Sequence, residues 1–107
     1  MFHMEHLEKH IQKSIIDYLS YRKDLYFIRS GSGLIKTEKG KYFKSGKPGC
    51  PDVIVCYKGR FIGLEIKTSK GKQSQIQKIT ESLIKECGGE YYIVKSLDDV
   101  LKILNID

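Results

Sequence analysis

The chain has 107 residues, enough for one domain spanning 1–107 and too few for a second. Apolar residues make up 40% and only two prolines occur, which excludes a disordered or fibrous chain. Lys and Arg number 19 against 13 Asp and Glu, a net charge of +6 that points toward a polyanionic partner such as nucleic acid.

Leu7, Ile11, Ile15 and Leu19 recur every four residues, with Ile16 and Tyr18 beside them, and predict an amphipathic helix over 4–22. Leu25 to Arg29 is short, apolar and aromatic, and reads as a strand. Ser30 to Gly49 holds five glycines and five lysines, Lys36, Lys39, Lys41, Lys44 and Lys47, with Glu38 its only acid. That segment is long for a structureless loop in a compact domain, so it is expected to be functional or partly stranded. Asp52 to Tyr57 and Arg60 to Lys67 are two strong strand signals. Only Lys58-Gly59 separates them, which is a tight-hairpin signature. Gln73 to Cys87 reads as a second helix with Ile76, Ile79, Leu83 and Ile84 as its apolar stripe, stopped by Gly88-Gly89. Glu90 to Lys95 is a last strand, and Ser96 with Asp99 forms a capping box for a helix ending at Leu104. The order is α-β-β-β-α-β-α, an α/β chain without internal repeats.

No apolar run approaches the ~20 residues of a membrane helix. Met1 to Gln12 lacks an apolar signal core, so an intracellular, cytoplasmic protein is expected. Cys50, Cys56 and Cys87 form no C-x-x-C pair and read as reduced thiols. His6 and His10 are spaced i, i+4, but without an H-E-x-x-H core a solvated helix face explains them better.

The hairpin permits a geometric argument. A two-residue turn at 58–59 pairs Tyr57 with Arg60, so paired residue numbers add up to 117 and Asp52 stands opposite Glu65. Strand side chains alternate, so Asp52, Ile54 and Cys56 share a face with Phe61, Gly63, Glu65 and Lys67. Val53, Val55, Ile62, Leu64 and Ile66 make the other, wholly apolar face. Two carboxylates opposed across a ladder, with Cβ atoms roughly 5 Å apart, repel one another. A divalent cation between them removes the penalty, and oxygen ligands suit Mg²⁺ or Mn²⁺. Lys67, on the same face, is placed to hold an attacking water or neutralise charge on a phosphate.

Glu8 borders the buried face of the first helix, and Glu5 lies one turn earlier; helical spacing leaves both readable as solvated acids. Gln73 and Gln77 begin the second helix just beyond Lys67. They read either as site amides or as capping residues. Lys70 and Lys72 in the link from Thr68 to Lys72 extend the basic character of 30–49, where Tyr42 and Phe43 are candidates for stacking on bases.

Gly49-Cys50-Pro51-Asp52, Glu65-Ile66-Lys67 and Ser74-Gln75-Ile76-Gln77 together resemble the PD-(D/E)XK nuclease superfamily, and within it the VRR-NUC (virus-type replication-repair nuclease) group. Glu8-x-x-Ile11-Gln12 is similar to that group's acidic N-terminal helix. The resemblance implies a restriction-endonuclease-like core, a mixed central sheet flanked by helices. It implies Mg²⁺ or Mn²⁺ held by Asp52, Glu65, Glu8 and Ile66, with Lys67 as catalytic lysine and Gln77, rather than Gln73, as the family glutamine. It further implies a DNA endonuclease, in small phage-like members a homodimeric Holliday-junction resolvase, with Lys36, Lys39, Lys41, Lys44, Lys47, Lys70, Lys72 and Gln73 facing the DNA. A nuclease of flap or duplex specificity and a non-catalytic DNA-binding module on the same fold are the alternatives.

Overall fold

The computed structural model describes residues 4–30, 34–36, 38–44 and 47–106, with the backbone alone at 4–6, 34–36 and 42–44. The elements run α1 (Met4–Tyr21), β1 (Tyr26–Arg29), β2 (Leu34–Lys36), β3 (Tyr42–Lys44), β4 (Val53–Tyr57), β5 (Arg60–Ile66), α2 (Gln75–Glu86), β6 (Glu90–Val94) and α3 (Leu97–Leu104). The main sheet has the order β1-β4-β5-β6. Its first two pairings are antiparallel and β5–β6 is parallel. Leaving aside β2 and β3, the order is the predicted α-β-β-β-α-β-α. Those two short strands pair only with each other and divide the lysine-rich segment, which is therefore partly stranded.

The turn between β4 and β5 sets the register of the central hairpin. Lys58 (φ 51°) and Gly59 (φ 78°) both take positive φ, the conformation of a type I′ turn, whose twist matches the strands it joins. The register is the predicted one, from Tyr57 opposite Arg60 to Val53 opposite Leu64. Val53, Val55, Tyr57, Ile62, Leu64 and Ile66 accordingly share one buried face. Ile15 and Leu19 of α1 and Val100, Ile103 and Leu104 of α3 close over it. Alternation thus sorts the whole hairpin into a core face and an outer face.

The stripe of α1 is buried only in its second half. Ile15 and Leu19 are fully covered while Leu7 is 39% exposed, so the first turns of the helix extend beyond the core. At the opposite corner, Arg60 makes a two-pronged pair with Glu90 (both N···O distances 2.8 Å) and donates to the Ile103 carbonyl at 3.0 Å. One guanidinium therefore ties β5 to β6 and satisfies a terminal carbonyl of α3. The Ser96 hydroxyl accepts from Asp99 N–H as expected, but the Asp99 carboxylate reaches back to Lys95 N–H, one residue before the cap.

α2 crosses the outer face. Its N-terminus is a complete capping box, Ser74 Oγ accepting from Gln77 N–H and Gln77 Oε1 from Ser74 N–H. Its apolar stripe is less covered than the periodicity predicts: Ile76, Ile79 and Leu83 are each about half exposed and no residue of the helix is buried. The half-buried residues of the helix are Gln77, Thr80, Glu81 and Ile84, so the stripe itself is turned largely to solvent. The helix is seated instead where glycine permits close approach. A Cβ on Gly49 would stand 2.5 Å from Thr80 Oγ1 and 2.8 Å from the Ile76 carbonyl oxygen.

Gly63 is also a spacer. A Cβ there would lie 2.7 Å from Pro51 Cγ, a rigid ring adjoining Asp52. Gly63→Ala is expected to destabilise the fold by roughly 1–3 kcal/mol through overpacking, read from urea unfolding. An unchanged midpoint would show that Pro51 yields without strain.

Candidate functional site

Asp52 stands one residue before β4, where the β4–β5 register places it opposite Glu65. Lys67 N–H bonds to the Val94 carbonyl in β6, so the preceding N–H of Ile66 points the other way, toward Asp52. The Asp52 carboxylate accepts that N–H at 2.7 Å. It therefore continues the ladder by one rung with a side chain in place of a backbone carbonyl. Ladder geometry turns the Ile66 carbonyl to the same side as its N–H. Ser30 N–H donates to the Asp52 carbonyl at 3.0 Å and Ser30 Oγ to the Pro51 carbonyl, which fixes the backbone of Asp52 from β1.

Glu65 is 0% exposed, on the outer face beneath the start of α2. One oxygen, Oε1, accepts from the Tyr91 hydroxyl. The other, Oε2, is buried without a hydrogen-bond partner. Lys67 Nζ approaches Oε2 to 3.7 Å, an ion-pair distance too long for a hydrogen bond. A buried oxygen without a donor costs about 1–3 kcal/mol, and more when charged. Burial raises the Asp52 pKa, opposed by the Ile66 N–H and the Lys67 charge. Two carboxyl groups and one ammonium thus converge at the end of β5, with one lone pair left over.

The two glutamines have different surroundings. Gln77 spends its side-chain carbonyl on the α2 cap. Gln73 donates its amide to Glu81 Oε1 at 3.1 Å and lies beside the Tyr91 hydroxyl, whose pKa it lowers against a larger rise from burial. Tyr91 is the member the sequence did not disclose. It faces Gly63 across the parallel β5–β6 pairing. A Gly inside a strong strand was the available signal, but a parallel register has no turn from which it can be counted.

Glu8 is half-buried on α1. Among the described residues no group of three or more His, Cys, Asp and Glu stands close enough to hold a metal ion, so Glu8 does not join Asp52 and Glu65 in this structure. Glu5, His6, Lys36, Lys44, Tyr42 and Phe43 have side chains outside the described residues. Lys39, Lys41, Lys47, Lys70 and Lys72 are all exposed. The β2–β3 hairpin leaves the sheet after β1 and returns just before Asp52, so its base lies at the carboxyl end of β5 together with Lys70 and Lys72. A separate pocket of about 530 Å³ between Gly59 and Leu83 lies at the turn end of the hairpin and contains none of these groups. Cys50, Cys56 and Cys87 are free thiols. Among the described residues no helix is long and apolar enough to cross a membrane.

No family model matches the chain, and no curated protein matches it. A solved structure described as a VRR_NUC domain superposes on it with a TM-score of 0.63 and 18% sequence identity, covering 92% of this chain and 94% of that one. The chain has the fold of a VRR_NUC domain. The restriction-endonuclease-like α/β core expected from the sequence is thereby borne out, as a mixed four-stranded sheet between α1 and α3 on one face and α2 on the other.

The donor set on this fold suits a small hard cation. Mg²⁺ keeps several waters and takes one or two carboxylates, whereas Ca²⁺ needs six to eight oxygens and structural Zn²⁺ four N or S ligands. Asp52, Glu65 and the adjacent Ile66 carbonyl supply oxygen donors, the kind that hard divalent cations take and a structural Zn²⁺ site does not.

The raised Asp52 pKa has a testable sign. A carboxyl raised by burial supports the fold fully below its ordinary 3.8 and loses that support as pH climbs through the folded-state value. Asp52→Asn keeps an acceptor for Ile66 N–H and cannot ionise. In EDTA its melting temperature is expected to exceed wild type at neutral pH and to converge with it below pH 3.8. A variant less stable than wild type at neutral pH would contradict the burial effect.

Proposed function

We propose that this chain is a VRR-NUC-type, metal-dependent endodeoxyribonuclease, with residues 1–107 as one nuclease domain. The observation that carries the reading is the meeting of Asp52, the partnerless Oε2 of Glu65 and Lys67 at one end of the sheet. A binding module gains nothing from a buried carboxyl oxygen without a donor.

Asp52 and Glu65, with the Ile66 carbonyl beside them, would hold Mg²⁺ or Mn²⁺. The bound cation would supply Lewis acidity toward a phosphoryl oxygen and a lowered pKa for water. The protein's own contributions are distinct. Ile66 N–H orients the Asp52 carboxylate. Lys67 holds the attacking water and offsets the charge that builds as water adds to phosphorus and the P–O bond to the leaving sugar breaks. Its stem rests against Gly71, where a Cβ would come within 3.3 Å of Lys67 Cβ and Cδ. Gln73 takes the site role through Tyr91, and Gln77 keeps α2 in place.

Lys36, Lys39, Lys41, Lys44 and Lys47 on the hairpin segment, with Lys70 and Lys72 on the opposite side of Asp52, form the phosphate-binding surface. Branched four-way junctions are the proposed substrate. Cutting both strands symmetrically calls for a homodimer carrying one site for each strand. The place of action is the cytoplasm.

Purified protein incubated with four-way junction, flap and duplex DNA in Mg²⁺, Mn²⁺ or EDTA tests the reading. Metal-dependent cutting of junctions is expected. Cutting of flaps alone would overturn the junction assignment, and no product on any substrate would overturn the nuclease. Lys67→Ala is expected to lower cleavage roughly 10²–10³-fold while DNA binding in EDTA persists. Charge reversal at Lys41 and Lys44 is expected to weaken binding and flatten its salt dependence, by about 0.9 in logarithmic slope for each phosphate no longer neutralised. Equal affinity at moderate salt would remove the hairpin from the DNA surface.

A further inference from the structure

We infer that Tyr91 sets which divalent cation the site accepts, by holding Oε1 of Glu65 and leaving that carboxylate a single ligating oxygen, Oε2. The inference rests on the metal-site reading above and assigns a selectivity to it.

The hydrogen-bond arithmetic directs the phenol proton. A tyrosine hydroxyl has one proton to donate and lone pairs to accept with. The Gln73 amide lies against the hydroxyl and is itself held by Glu81 Oε1 at 3.1 Å. The phenol proton is donated to Glu65 Oε1. Tyr91 is 3% exposed, so its ring is enclosed by protein. Glu65 is fully buried, so water does not compete for Oε1. Tyr91 therefore engages one carboxyl oxygen of Glu65 and leaves the other.

That asymmetry separates cations. Ca²⁺ gathers six to eight oxygens at 2.3–2.6 Å and commonly draws both oxygens of a carboxylate. Mg²⁺ demands octahedral geometry at 2.0–2.1 Å and is content with one. With Oε1 engaged, Glu65 offers what the smaller ion needs and withholds what the larger one would use. Tyr91 is thus a positioning residue: it touches a ligand and not the metal.

The test reads binding of metal alone to the full chain. Mn²⁺ is followed by electron paramagnetic resonance and displaced with Mg²⁺ or Ca²⁺, without DNA. Tyr91→Phe keeps the ring and releases Oε1. Its preference for Mg²⁺ over Ca²⁺ is expected to fall roughly tenfold, the lower end of what partners of metal ligands contribute. Gln73→Ala, which removes the amide beside the hydroxyl, is expected to shift the ratio the same way by a smaller factor, and keeps the question open to measurement if Tyr91→Phe does not fold. Equal losses for both ions in a folded variant would make Tyr91 a simple packing residue and overturn the inference. Mn²⁺ binding to wild type with no effect of either variant would overturn it as well, leaving the metal site standing. Absence of Mn²⁺ binding to wild type would instead overturn the metal site itself.

Discussion

The type I′ turn at Lys58-Gly59 is the constraint on which the rest of this structure depends. Two residues with positive φ fix the β4–β5 register, and a slip of one residue would exchange the faces of both strands. In the register that forms, six apolar side chains enter the core together and Glu65 is turned to the other side. The same register carries Asp52 to the position from which its carboxylate takes the Ile66 N–H. Core and candidate site are two consequences of one turn, which is why the site sits on rigid strands and not on loops.

Glu65 shows the tension this creates. A fully buried carboxyl group with one oxygen lacking a donor opposes stability. Its surroundings relieve half of that cost, through Tyr91, and leave the other half. The stripe of α2 is half covered because Gln77, Thr80, Glu81 and Ile84 are the half-buried residues of that helix, which leaves Ile76, Ile79 and Leu83 largely to solvent. The second helix is held instead by its capping box and by close approach at Gly49. Local structure was arranged around the site at the expense of packing, a conflict expected where a fold serves chemistry.

The basic segment gains its meaning from where its ends are tied. Lysines in a hairpin are commonplace on a protein of net charge +6. Here the hairpin departs from β1 and returns at Pro51, and Ser30 bonds the backbone of both Pro51 and Asp52. The base of the hairpin therefore lies beside the carboxyl groups, at the same end of the sheet as the segment that carries Lys70 and Lys72.

Much of this was legible in the residues because it depends on counting along the chain. Turn chemistry at Lys58-Gly59, alternation through β4 and β5, the helical periods and the Ser74 and Ser96 caps are local or near-local, and they determined the element order, the core face and the relation of Asp52 to Glu65. What only the tertiary structure decided depends on neighbours that no count reaches. The parallel pairing of β5 with β6 spans the whole of α2, so the sequence could not place Tyr91 against Gly63. The different partners of Gln73 and Gln77, Glu81 for one and the α2 cap for the other, depend on the position of α2 over the sheet. The first turns of α1 run past the core, so periodicity alone could not say where Glu8 stands relative to the carboxyl groups. The sheet register places two carboxyl groups side by side, and the long-range packing determines which oxygen of Glu65 is hydrogen-bonded and which is not.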